Sequence, residues 1–197
     1  IMHRRLQAMG QAKYARDFLK GAVYHEDTLE IPLRWTKPRT VFVNSMSDLF
    51  HEDIPFKFIM AVFDVMEKTP QHTYLILTKR PDRALMFWQI MEEIWFGKWK
   101  RPANVWMGTS VNNQLSAERR ISKLLKIKGV LRFISYEPAT GPLRLDNIDV
   151  DNYDEEFCQI NALTGRHTDM ARPCDDVPTL HWVIAGGESG SRASASN

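Results

Sequence analysis

Cysteine is scarce in this sequence, with two among 197 residues, Cys158 and Cys174. Both lie in one polar stretch, so a bridge between them would close only a short local loop, and reduced thiols are the simpler expectation. Neither belongs to a Cys-x-x-Cys pair, and the spacing of Cys158, His167 and Cys174 fits no familiar zinc pattern. No metal site is expected. Also missing is any apolar run near the ~20 residues that cross a bilayer. The opening stretch from Ile1 to Lys20 is basic and interrupted, unlike a secretory signal, so the expected location is cytoplasmic, with no membrane partner. Four motifs are absent: Gly-x-x-x-x-Gly-Lys-Ser/Thr, Gly-x-Gly-x-x-Gly, Gly-x-Ser-x-Gly and His-Glu-x-x-His. Their absence removes the commonest nucleotide-binding and hydrolytic readings.

What is present suits one buried core. The composition is 44% hydrophobic and 25% charged, and 197 residues are enough for one domain but short for two. Net charge is +2, but it is unevenly spread. From Asp146 to Leu180 nine acidic residues face two arginines, a net of −7, which leaves +9 on the rest of the chain. That field would favour an anionic partner such as a nucleotide or nucleic acid, although solvated charge is the simpler reading because the Lys and Arg are scattered rather than clustered.

A unit repeats along the chain. Arg39 to Asp48 opens with an apolar β-branched run after Pro38 and then turns abruptly polar, and Phe56, Ile59, Met60, Phe63 and Met66 then recur at helical spacing behind Pro55. Thr73 to Leu77 leads into Thr78, Lys79 and Arg80, and a helical stretch opens at Pro81. Val105 to Met107 leads into Gly108, Thr109 and Ser110, ahead of a helix from about Ser116 to Lys126. Val130 to Ile134 leads into Ser135, Tyr136 and Glu137, and His181 to Ala185 into Gly186, Gly187, Glu188, Ser189 and Gly190. Ile1 to Lys20 reads as an amphipathic helix.

Short apolar strands alternating with helices imply crossover connections and a parallel sheet. The expected fold class is therefore α/β, and the even sharing of polar strand tips favours a partial TIM-type (β/α) barrel of parallel strands over an open sheet. Asp146 to Leu180 breaks the rhythm and is expected to be an acidic surface insertion within the single domain.

Ligands of such folds bind where the strands end, so the polar tips are the candidate binding residues. Gly186 and Gly187 would let a backbone approach a ligand, with Glu188 and Ser189 as hydrogen-bonding groups. Asn44, Ser45, Ser47 and Asp48 suit a small polar ligand, while Ser47 and Asp48 would serve equally well as caps of the next helix. Lys79 and Arg80 would hold a carboxylate or phosphate, and Glu137 would pair with either cation. Thr109 and Ser110 complete the set. His51 and Glu52 read as surface residues.

Seven stretches together resemble one known family: Arg5 to Gly10, Pro32 to Trp35, Val41 to Phe50, Leu77 to Pro81, Asn104 to Ser110, Arg132 to Pro138 and Trp182 to Gly190. It is the phage-protein family named for gene products thirty-seven and sixty-eight. The resemblance implies a radical S-adenosylmethionine-like barrel, in which three cysteines hold a four-iron four-sulfur cluster and the open iron takes the amino acid moiety of S-adenosylmethionine. It places those cysteines before Ile1 and continues the family beyond the Gly186 to Gly190 loop. The sequence thus reads as truncated at both ends, with no cofactor expected for this chain and no radical chemistry from it alone. The alternative is a non-catalytic phage protein that binds a nucleotide or nucleic acid on the same face. An incomplete barrel would also expose strand edges to self-association.

Overall fold

The computed structural model describes residues 25–45, 47–94, 99, 101–151, 157–166 and 178–187. Five strands, β1 (Thr40–Val43), β2 (Thr73–Thr78), β3 (Val105–Val111), β4 (Leu131–Tyr136) and β7 (Trp182–Ala185), form one parallel sheet in the order β1-β2-β3-β4-β7. The first three connections carry helices: α1 (Phe56–Lys68), α2 (Pro81–Ile94) and α3 (Gln114–Leu125). Because neighbours in the sheet follow chain order without reversal, right-handed crossovers put every helix on the same face. The α/β alternation expected from sequence is there.

Strand alternation shows which face the helices cover. Tyr74, Ile76, Val105, Met107 and Ile134 are buried with Ile59, Phe63, Trp88, Ile121 and Leu124 of the helices in one core. Between α1 and α2, Phe63, Phe87, Trp88 and Trp99 pack edge to face, with Phe63 and Trp88 centroids 5.2 Å apart. At the lower end of the sheet, the Asn104 amide reaches the carbonyls of Met66, Thr69 and His72 at 3.1, 3.1 and 2.9 Å. One side chain thereby joins the end of α1 to the starts of β2 and β3.

Helix α3 begins two residues earlier than the apolar spacing suggests. Asn113 caps it by accepting from the Ser116 amide, while the Ser116 hydroxyl bonds back to the Asn113 amide. The stretch between β4 and β7 is more built than a surface insertion. It contains an antiparallel pair, β5 (Ile148–Asp151) and β6 (Phe157–Ile160), that packs on α3. Ile148, Val150, Ile160, Ala162 and Leu180 are buried in the main core, so the described part of this connection contributes a strand pair to the packing on α3. Acidic residues dominate the composition here and mask the few apolar positions that pack inward. The helix expected over Ile1 to Lys20 lies outside the described residues. No helix among those described is long and apolar enough to cross a membrane.

At the start of β7, the His181 amide donates to the Arg132 carbonyl and its Nδ1 accepts from the Arg132 amide, at 2.8 and 3.1 Å. Acceptance at Nδ1 requires that nitrogen to be unprotonated. Burial first, and then the Arg132 charge, lower the His181 pKa. A lowered histidine pKa means the unfolded chain binds the proton more readily. The contribution is whole above the ordinary value near 6.5 and is lost as the pH falls through the lower, folded value. We expect the denaturation midpoint to drop between pH 7 and pH 5 more in the native sequence than in His181→Gln; equal slopes would remove this role. The residue is exposed enough that the difference should be small.

Candidate functional site

On the face opposite the helices, the register stacks side chains in rows. Phe42, Leu75, Trp106 and Leu131 are paired neighbours in the lowest row, and Leu77, Gly108, Phe133 and Trp182 form the next. Above them Ser110, Ser135 and Ile184 align, and Glu137 and Gly186 follow at the tips of β4 and β7. The face therefore grades from an apolar floor to a polar rim at the C-terminal ends. Phe42 and Trp182 are 42% and 43% exposed, so the floor is open to solvent. Trp182 meets Trp106 at right angles with centroids 6.0 Å apart and leans on Phe133 at the same distance. Phe133 is fully buried because its ring lies on Gly108.

Glu137 is the best-prepared group on the rim. The side chain of Ser135, only 5% exposed, donates to Glu137 Oε2 at 3.0 Å. Its Oε1 lies over Gly186, where an added Cβ would stand 2.6 Å away. The two strand tips are tied together by bonds from the Gly186 amide to the Tyr136 carbonyl and from the Ala139 amide to the Gly186 carbonyl. Gly186 is therefore small for a definite reason: its missing side chain is the space that the carboxylate occupies. Oε1 meets no donor among the described residues, and Glu137 is exposed, so a ligand donor can reach it.

Asp48 organises a second cluster, on the helix side. Its Oδ1 accepts from the Thr78 hydroxyl at 2.8 Å and the Phe50 amide at 3.0 Å, and its Oδ2 from the Lys79 amide at 3.0 Å and Arg80 Nη1 at 3.2 Å. The Thr78 hydroxyl also accepts from the Arg80 amide, and Thr109 Oγ1 donates to the Thr78 carbonyl. This network locks the loop after β1 to the tip of β2 and leaves Asp48 no open acceptor site of use to a ligand.

Several sequence expectations change accordingly. Arg80 pairs with Asp48, and Glu137 is held by Ser135, so the pairing of Glu137 with a cation is replaced by two separate clusters. Asp48 does not cap α1, which has no side-chain cap; it caps the local turn at Phe50. Thr78, Thr109 and Ser110 lie inside strands, because parallel pairing continues past the point where apolar residues run out. Alternation then divides them, with Thr78 and Thr109 buried towards the helices and Ser110 on the open face. Lys79 follows β2 at the rim, and its side chain is exposed. Asn44 adopts a positive φ of 55° directly after β1, an uncommon backbone for a residue with a side chain. Ser45 and Ser47 lie in the same turn, where the Ser47 amide bonds to the Asn44 carbonyl. Gly187 follows Gly186 in the loop. Glu188 and Ser189 lie outside the described residues, as do His167 and Cys174.

Ser135, Thr78 and Gly108 are the functional and supporting residues that residue-type reasoning passed over. Ser135 was detectable, since it stands two places before Glu137 and alternation puts both on one face. Among the described residues, no group of three or more His, Cys, Asp or Glu side chains is placed to hold a metal ion.

One protein-family model, described as a protein of unknown function, DUF5131, matches the chain over residues 1–197. No curated protein and no solved structure matches it.

Proposed function

The chain belongs to the DUF5131 family, and we propose that it is a barrel-type binding protein that holds an ammonium-bearing small molecule at the C-terminal rim of its sheet. The observation that carries this reading is the Glu137 carboxylate, exposed, anchored through one oxygen by the buried Ser135 hydroxyl and seated over Gly186. A carboxylate already oriented loses little freedom when it meets a cationic donor, and a charge-assisted bond is the strong kind. Ser110 on the same rim supplies a hydroxyl for the ligand's other polar groups. The apolar rows beneath suit a planar or aliphatic moiety, as most small-molecule sites combine an apolar wall with a few placed polar groups.

S-adenosylmethionine is the ligand to test first, because the sequence resembles a radical S-adenosylmethionine-like phage family. It offers an ammonium group for Glu137 and a purine for the aromatic floor. The described residues provide no three-ligand set for an iron–sulfur cluster, so the proposal covers binding and routes no reaction step through a cluster.

Calorimetric titration of the chain with S-adenosylmethionine and with S-adenosylhomocysteine tests it. Both carry the ammonium group and both should bind. Glu137→Gln should weaken each by roughly 10- to 100-fold, the ratio corresponding to a charged hydrogen bond of about 1.5–3 kcal/mol. Unchanged affinity in that variant, or no binding by well-folded protein, would defeat the proposal.

A further inference from the structure

Strands β1 and β7 are the two edges of the sheet, each with one neighbour among the described strands. Natural edge strands usually carry a charge or a proline that deters further pairing. Neither of these does, their sequences being Thr-Val-Phe-Val and Trp-Val-Ile-Ala. Both hold exposed apolar side chains instead: Phe42 is 42% exposed, Trp182 43% and Val183 37%. Nothing in either strand opposes the addition of another.

The open face has the same character. An all-parallel sheet is ordinarily covered on both faces, yet the described helices lie on one. On the other, Leu75, Leu77, Trp106 and Ile184 are only half-buried. Cover for this face that also pairs with both edges would remove all three apolar exposures at once.

We infer that the cover is a second copy of this chain: β1 of each copy pairs in parallel with β7 of the other, closing two five-stranded sheets into one ten-stranded barrel with the open faces inside. The two edge strands have four residues each, so either runs the full length of the other. A twofold axis makes the two contacts identical and leaves no edge to extend a filament. Antiparallel pairing of β7 with a second β7 would leave β1 and both open faces bare. Since a covered aromatic side chain buries ~150–250 Å², Phe42 and Trp182 of both copies would together bury roughly 300–400 Å². With Val183, the half-buried residues and the paired backbone, the total is on the order of 1,000 Å², the low end for a specific interface. The dimer should therefore dissociate reversibly on dilution. Parallel pairing also gathers strand ends of one polarity, so the partner's Asn44, directly after its β1, comes to stand beside Gly186 at the Glu137 rim. That contribution to the ligand site rests on the rim reading; the association itself does not.

Light scattering at rising protein concentration tests the association, and the native chain should pass from one copy to two and stop there. Phe42→Lys and Val183→Lys each place a charge on one edge at a position already exposed in the single chain. Each should keep native circular dichroism and raise the dimer dissociation constant about tenfold or more. Met86→Lys changes an apolar side chain on α2 that is 52% exposed and lies away from both edges, and it should dimerise as the native chain does. Glu137→Gln should also dimerise normally, so loss of the rim ligand and loss of association are separate results. Strand polarity is read by crosslinking, with Cys158 and Cys174 replaced by Ser. Chains carrying Asn44→Cys, mixed with chains carrying Gly187→Cys and oxidised, should form a disulfide-linked pair that neither variant forms alone. A monomer at every concentration, growth beyond two copies, native-like association of both edge variants, or no crosslink in the mixture would each overturn the inference.

Discussion

Gly108→Ala is expected to destabilise the protein by about 2–3 kcal/mol, the upper part of the range for overpacking a filled core. A Cβ at Gly108 would lie 2.4–2.5 Å from three atoms of the Phe133 ring, well inside any tolerable contact. The ring has nowhere easy to go, since Trp182 covers it from the β7 side. Chemical denaturation measures the effect. Pairing Gly108→Ala with Phe133→Leu should recover part of the loss, because the shorter side chain frees the space the methyl needs. A cost that is simply additive in the double variant would show that the two residues do not compete for one volume.

Asp48→Ala is expected to cost about 3 kcal/mol, in the range seen when one partner of a largely buried charged pair is removed. Four donors lose their acceptor at once: the Thr78 hydroxyl, the amides of Phe50 and Lys79, and the Arg80 guanidinium. The Asp48 side chain is 15% exposed and that of Arg80 35%, so water replaces these bonds only in part. Asp48→Asn should be nearly as harmful, because its NH₂ would face either the Thr78 hydroxyl and Phe50 amide or the Lys79 amide and Arg80. Thr78→Val removes a single hydroxyl and should cost about 1 kcal/mol. If Asp48→Asn matched the native stability, the carboxylate would not be the hub that holds the β1 loop to the β2 tip. Because that loop carries Asn44, ligand binding at the rim should weaken along with stability.

These two sites explain why polar strand ends in a parallel sheet do not all serve one purpose. Neighbours at the strand ends, Thr109 and Ser110 or Tyr136 and Glu137, lie one residue apart in sequence yet belong to opposite faces. The helix-side set is consumed in holding loops together. Among the described residues of these two sets, the open-face one retains unused hydrogen-bonding capacity at Glu137 Oε1.

Much of the architecture was legible in the chain itself. Apolar runs at Thr73 to Leu77 and Val105 to Met107, with intervening positions at helical spacing, mark strands and helices because hydrophobic periodicity is a local property. The same locality makes the polar switch after each run visible, and it is what singles out Lys79, Ser110, Glu137 and Gly186 near the strand ends. Strand ends were harder to see, because backbone pairing in β3 continues through Thr109 and Ser110 after apolar character has stopped. The hairpin between β4 and β7 was hidden by acidic composition, its few inward residues being too sparse to form a pattern.

What the sequence determined by itself is the succession of strand and helix and the concentration of polar groups at strand ends, since each follows from residues close together along the chain. Only the tertiary structure decided which polar groups meet. Register and alternation assigned Asp48 to Arg80 and Glu137 to Ser135, placed the missing side chain of Gly186 beneath a carboxylate, and set Phe133 on Gly108. Those pairings join residues up to about fifty positions apart, and their energies depend on geometry of a few tenths of an ångström, which composition and spacing do not carry.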